Sequence, residues 1–244
     1  MVEVIGLSKQ FKSVKAVDDI SFKVSQGEIV GLLGENGAGK TTTLRMLATM
    51  LKPTSGTVRI NNYDVVNDAH MVRGEIGILF GGEVGLYDRL TARENIKYFA
   101  QLNGVSNQKA EEQINKLVKA FNMEEYIDRR VGKFSRGMKQ KVAIARSIVH
   151  DPKIMLFDEP TAGLDISASK IIHDFILHCK EENKAIVFSS HMMNEVEKLC
   201  DRVVIINKGK IVEDGKIDKL KEKYNDQDME SIFTKLIGGD SKNE

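Results

Sequence analysis

The stretch Gly34-Glu35-Asn36-Gly37-Ala38-Gly39-Lys40-Thr41 has the residue types and spacing of an anion-holding loop. It fits the pattern G-x-x-x-x-G-K-[ST], and Thr42 follows it directly. Its glycines let backbone N–H groups converge on phosphate oxygens with no Cβ in the way. An apolar run expected as a strand (28–33) precedes it. A helical pattern (41–50) follows, whose N-terminus adds the positive end of a dipole. In this arrangement Lys40 reaches β- and γ-phosphates and the Thr41 hydroxyl binds Mg²⁺. A nucleoside triphosphate with Mg²⁺ is therefore the expected ligand.

A second group of residues turns binding into chemistry. "KIMLFDEP" carries Asp158 and Glu159 at the end of an apolar strand. A carboxylate at the C-terminal edge of a sheet, beside a phosphate loop, suits a contact to Mg²⁺. Neighbouring residues on a strand point in different directions. Asp158 can thus serve the metal while Glu159 serves as general base, polarising the water that attacks the γ-phosphate. His191 follows "AIVFSS", a strand expected to end on the same edge. A neutral imidazole there can bond a phosphate oxygen or orient water, and an ordinary helix-start histidine is the alternative. For His70, His150, His173 and His178 a surface or helix-face position is expected.

These groups need a frame that brings them together. Residues 27–33, 77–80, 153–157, 185–190 and 202–206 read as strands. The apolar ones lack polar alternation, which suits strands buried on both faces. Helical stretches lie between them, so a parallel sheet with crossover helices is expected. "VEVIGL" and "AVDDISFKV" alternate like antiparallel strands with one wet face. Residues 85–150 read as a helical insert. In it Thr91 and Glu94 form a capping box, and Ser106 caps the run that follows. "NKGKIVEDGK" reads as a hairpin and "DMESIFTKLI" as a short final helix.

Composition bounds the functions this frame can carry. The 244 residues are 41% hydrophobic and 29% charged, with a formal net charge of +1. That balance argues against nucleic acid as a partner. No apolar run approaches the roughly 18–20 residues of a membrane span, so no direct membrane insertion is expected. The N-terminus lacks a signal-peptide layout. Residues 216–223 carry a net charge of +2. At about 1 kcal/mol per basic residue near an anionic leaflet that is too little for anchoring, so a solvated face is expected. Cys179 and Cys200 read as two reduced thiols.

The motifs together resemble the ATPase subunit of ABC transporters over nearly the whole chain, about 2–216. "FSRGMKQKVAIARSIVHDP", before the Asp158 strand, is similar to that family's signature motif, with Phe134, Ser135, Arg136, Gly137 and Met138 in its five places. The resemblance implies a P-loop α/β core with a mostly parallel sheet and an N-terminal antiparallel β subdomain. Residues 1–216 are then the ATP-binding domain, with the helical subdomain (about 85–150) inserted, and 217–244 a short extension. It also implies that the signature completes the ATP site of an opposing subunit, a homodimer being the expected form. Asp165, in "TAGLD", then faces that partner, His191 is the switch histidine and Phe11 stacks on adenine. Implied too are ATP and Mg²⁺ as cofactors, an integral membrane permease as partner, and a cytoplasmic position on the inner face of the membrane.

Two departures qualify the resemblance. Arg136 and Met138 replace Gly and Gln, and Arg136 either faces phosphate or points to solvent. Gly82, with Gly81 as alternative, stands where the family has a metal-touching Gln, which leaves coupling to backbone or Glu83. That region is most similar to ATPases of sodium-extruding, NatA-type bacterial exporters, and drug and antibiotic exporters share much of it. A chromosome-organising ATPase would need long coiled coils between Lys40 and Ser135, and no sustained heptads occur there. A translation-associated ATPase would carry a second phosphate loop. An importer would often carry a larger C-terminal domain.

Overall fold

The computed structural model describes residues 1–80 and 85–238. In chain order the elements are β1 (Val2–Phe11), β2 (Val14–Val24), β3 (Ile29–Leu33), α1 (Lys40–Leu47), β4 (Ser55–Ile60), β5 (Tyr63–Asp64), α2 (Ala69–Glu75) and β6 (Ile76–Phe80). Then come α3 (Ala92–Leu102), α4 (Asn107–Ala120), α5 (Arg136–Ile148), β7 (Ile154–Asp158), α6 (Ile166–Glu181), β8 (Ala185–Ser190), α7 (Met193–Leu199), β9 (Arg202–Asn207), β10 (Lys210–Lys216), α8 (Ile217–Tyr224) and α9 (Met229–Gly238).

A six-stranded sheet of order β10-β9-β3-β8-β7-β6 forms the centre. All its pairs are parallel except the β9–β10 hairpin. A four-stranded antiparallel sheet, order β2-β1-β4-β5, packs beside it. This is the expected α/β architecture. Side-chain alternation explains why the central strands are apolar throughout. Ile29, Leu33, Met155, Phe157, Ile186 and Phe188 join one core with the helices between residues 92 and 149. Val30, Leu32, Ile154, Leu156 and Val187 join a second core with α1 and the antiparallel sheet. Both faces are covered, so neither tolerates polar residues.

The caps act as the sequence implies. Thr91 and Glu94 form a reciprocal capping box at α3, and the Ser106 side chain accepts from the Lys109 N–H at α4. Lys216, Asp218, Lys219, Glu222 and Lys223 are exposed, but Ile217, Leu220, Met229 and Ile232 are buried in the first core. Helices α8 and α9 are thus packed against the sheet layer. No helix among the described residues is long and apolar enough to cross a membrane.

Both cysteines are free. Burial pushes the Cys179 thiol up to about 12, and burial likewise raises Cys200. The thiolate is the reactive form, so neither thiol should release colour from Ellman's reagent at pH 8 until denaturant is added. Rapid native labelling would contradict this packing.

Candidate functional site

The site is assembled along one edge of the central sheet. In register, Leu33 lies opposite Ser190, and Asp158 lies opposite Ser189. The phosphate-loop candidate, the acid pair and His191 therefore leave their strands side by side.

The loop itself is tightly built. Gly34 is buried, and only glycine fits because a Cβ there would lie 2.4 Å from the Ile206 carbonyl. Gly39, the N-cap of α1, has φ +112°, and a Cβ would lie 2.6 Å from the Ala16 carbonyl. The β9–β10 turn braces the loop from outside, with the Gly209 N–H donating to the Ala38 carbonyl at 3.0 Å. Glu35, Asn36 and Gly37 form an exposed crest, while Ala38 and Lys40 are buried and Thr42 half-buried. The helical ladder begins with the Thr43 N–H on the Gly39 carbonyl. The N–H groups of Lys40, Thr41 and Thr42 precede it and so have no partner within the helix. The Lys40 ammonium donates to the Gly34 and Glu35 carbonyls at 2.6 and 3.0 Å. Burial lowers its pKa, while the carboxylates of Glu159 and Asp158 pull it back up.

Asp158 is 6% exposed. One carboxylate oxygen accepts from the Thr41 hydroxyl at 2.8 Å and the other from the Ser189 hydroxyl at 2.5 Å. A hydroxyl and a carboxylate together beside a phosphate loop are the hard oxygen donors that Mg²⁺ takes. No larger His, Cys, Asp or Glu cluster suited to a metal occurs among the described residues. Mg²⁺ bound largely through phosphate and water needs none.

Glu159 sits at φ +47°. For a non-glycine residue this costs about 1–3 kcal/mol and persists only where the surroundings impose it. Its N–H donates to both the Ser189 carbonyl and hydroxyl at 3.1 Å. Its carboxylate lies 3.2 Å from Nδ1 of His191, so the structure brings these two together. Ser189 thus bridges Asp158 and Glu159; the sequence marks it only as one of the polar pair closing the otherwise apolar "AIVFSS", which does not name its partners.

The remaining candidates lie further out. Phe11 ends β1, 45% exposed, with the Lys9 ammonium 5.1 Å from its ring centre. Asp165 is exposed and caps α6, accepting from the Ala168 N–H at 2.8 Å. Ser135 caps α5 by accepting from the Met138 N–H at 3.3 Å, and Gly137 lies in the first turn. Phe134 and Met138 line a groove of about 800 Å³ with Arg129, Arg130 and Lys133. Arg136 is exposed and also makes a contact within its own chain. Its guanidinium donates to the Ala162 carbonyl at 2.9 Å, while Gln140, one turn on, donates to the Pro160 carbonyl at 2.7 Å. Helix α5 thus grips the segment that follows Glu159.

His173 is not a surface residue; it is 9% exposed and bonds the buried Glu195 at 3.0 Å. Burial alone raises the Glu195 carboxyl, yet bonds from His173, Thr161 and Ser190 leave it below the ordinary value. Gly81, Gly82 and Glu83, the coupling candidates, lie outside the described residues.

Fold and motif geometry define a P-loop nucleotide-hydrolase cassette, and the comparisons narrow the class. The ABC transporter family model matches residues 17–162. The chain belongs to the ATP-binding proteins of ABC transporters, and it is an ATPase of that type. It is similar to the ABC transporter ATP-binding protein NatA of Bacillus subtilis, 49% identical over 98% of this chain and 99% of the relative. It is also similar to the bacitracin transport ATP-binding protein BcrA of Bacillus licheniformis, 40% identical over 91% of this chain and 72% of the relative. A solved ATP-binding subunit of an ABC transporter superposes with a TM-score of 0.90 at 28% identity, covering 97% of this chain and 99% of that one. A dimeric, post-hydrolysis ATP-binding cassette bound to ADP and Pi superposes at 0.80 and 26% identity, covering 88% and 98%.

The loop geometry separates two glycines. Gly39→Ala meets the Ala16 carbonyl and a forbidden φ, so it should cost about 1–3 kcal/mol in urea unfolding and abolish ATP binding by titration. Gly37 has φ +84° but open space around it. Gly37→Ala should cost less, about 1 kcal/mol.

Proposed function

We propose that this chain is the ATP-binding, ATP-hydrolysing subunit of a bacterial exporter, acting as a pair of identical chains on a separate membrane permease. The observation that carries the reading is the meeting of Thr41, Asp158, Glu159 and His191 at the edge where the phosphate loop opens. In this reading residues 1–216 are the ATP-binding domain, with a helical subdomain at about 85–150, and 217–244 a short extension.

The N–H groups of residues 34–42 and the Lys40 ammonium hold the triphosphate, and Phe11 stacks on the adenine. Thr41 and Asp158 would hold Mg²⁺, which when bound neutralises phosphate charge. Glu159 takes a proton from the attacking water as the water oxygen bonds the γ-phosphorus. The bond to the bridging oxygen breaks, and ADP leaves with its electron pair. His191 orients Glu159 and the γ-phosphate. The opening of α5, Ser135 with Gly137 and its neighbours Phe134, Arg136 and Met138, closes on the nucleotide of the opposing chain. That helix N-terminus, beside a groove carrying Arg129, Arg130 and Lys133, favours an anion there. Asp165 faces the partner beside Ile166, which is 90% exposed. The dimeric form of the solved cassette bound to ADP and Pi supports the pairing. Sodium is the proposed cargo, on the resemblance to sodium-extruding exporters. The similarity to the bacitracin transport protein makes drug or antibiotic export the second reading.

Glu159→Gln should slow turnover by about 10²–10⁴, the scale of a lost general base, while ATP still binds and traps a dimer in gel filtration. Wild-type hydrolysis in that variant refutes the assignment. Ser135→Arg, on the dimer reading, should lose activity while its ATP affinity stays unchanged, and full activity of that variant rejects the shared site. Deleting the gene should make growth sodium-sensitive; sensitivity to an antibiotic alone would favour the second cargo.

A further inference from the structure

Glu195 is a buried carboxylate that the proposed chemistry does not use. It is 5% exposed, on α7. The Thr161 hydroxyl donates to Oε1 at 2.6 Å, and Nε2 of His173 lies 3.0 Å from the same oxygen. The Ser190 hydroxyl donates to Oε2 at 3.0 Å. Thr161, His173 and Ser190 are all buried.

A carboxylate taken out of water is costly unless its lone pairs are met, and for stability alone apolar packing serves as well or better. The identity of the partners gives this group a purpose. Thr161 follows Glu159 by two residues, with the fixed φ of Pro160 between them. Ser190 immediately precedes His191. Its hydroxyl also accepts from the Met192 N–H at 3.0 Å, so it spans the backbone on both sides of His191. Above this buried centre the side chains of Glu159 and His191 meet at 3.2 Å. One carboxylate therefore ties the root of the acid to the root of the imidazole, and through His173 anchors both to α6.

We infer that Glu195 is a positioning residue that sets Glu159 against His191 by holding the two segments that carry them. The inference rests on the reading of Glu159 as general base. Glu195 touches neither the phosphate loop nor Asp158 by any hydrogen bond among the described residues, so its loss acts on turnover and not on nucleotide binding.

The test is a set of variants assayed for kcat, KM and ATP affinity, with folding checked by thermal melting. Glu195→Ala should lower kcat about 10–100-fold, the range seen when a supporting partner of a site is removed, with KM and ATP affinity changed less than about twofold. In single-turnover assays on the Glu159→Gln background, the same change should cost less than about twofold further, because residues acting as a unit are not additive. If Glu195→Ala does not fold, Thr161→Val and Ser190→Ala carry the same comparison in both backgrounds, each expected to lower kcat about 3–10-fold. Unchanged kcat in folded variants overturns the inference. So does an equal loss with and without Glu159, which would mark a general structural role. If Glu159→Gln itself turns over at the wild-type rate, the general-base reading falls first and takes this inference with it; slow turnover of Glu159→Gln with multiplicative losses removes the inference alone.

Discussion

Each oxygen of Asp158 accepts one hydroxyl, from Thr41 at 2.8 Å and from Ser189 at 2.5 Å. A buried acid without such partners would be expensive to hold. The donors come from α1 and β8, and Thr41 is 117 residues away along the chain. The contacts exist only because the strands end level, with Asp158 opposite Ser189 and Leu33 opposite Ser190. A one-residue slip of β7 would send the carboxylate to the other face of the sheet. Parallel register is thus the condition on which the Thr41–Asp158 contact, the acid pair and the phosphate loop all depend.

Within the phosphate loop the Ala38 N–H donates to the Glu35 carbonyl at 3.1 Å, and a loop that keeps other N–H groups for a ligand needs further support. That support comes from outside. Ala16 presses on Gly39, Ile206 presses on Gly34, and the Gly209 turn bonds the Ala38 carbonyl. The antiparallel sheet and the β9–β10 hairpin are therefore walls of the loop as well as parts of the fold.

The segment after β7 is held from two sides. Gln140 and Arg136 reach its carbonyls from α5, and Glu195 reaches the Thr161 hydroxyl from α7. Surroundings this dense account for Glu159 remaining at φ +47°. Arg136 also shows how a departure from a family motif finds a role in its own chain. The residue that replaces a glycine extends to a neighbouring carbonyl, and Gly163 leaves it room, since a Cβ there would lie 2.4 Å from the guanidinium.

The contiguous pieces were legible in the residues alone. Glycine, lysine and threonine at fixed spacing mark a phosphate loop, because adjacent backbone groups form it. Apolar runs mark strands covered on both faces, and Thr91 with Glu94, or Ser106, mark helix starts, because caps are local. Ser189 as a bridge, His173 as a buried residue and Glu195 as a junction were not legible. Nor was the carbonyl that Arg136 would find. Each is decided by a contact between segments far apart in the chain, through which strands lie level and which helix faces meet. Local chemistry is written residue by residue, whereas these juxtapositions arise only when the sheet fixes its register and both faces are packed.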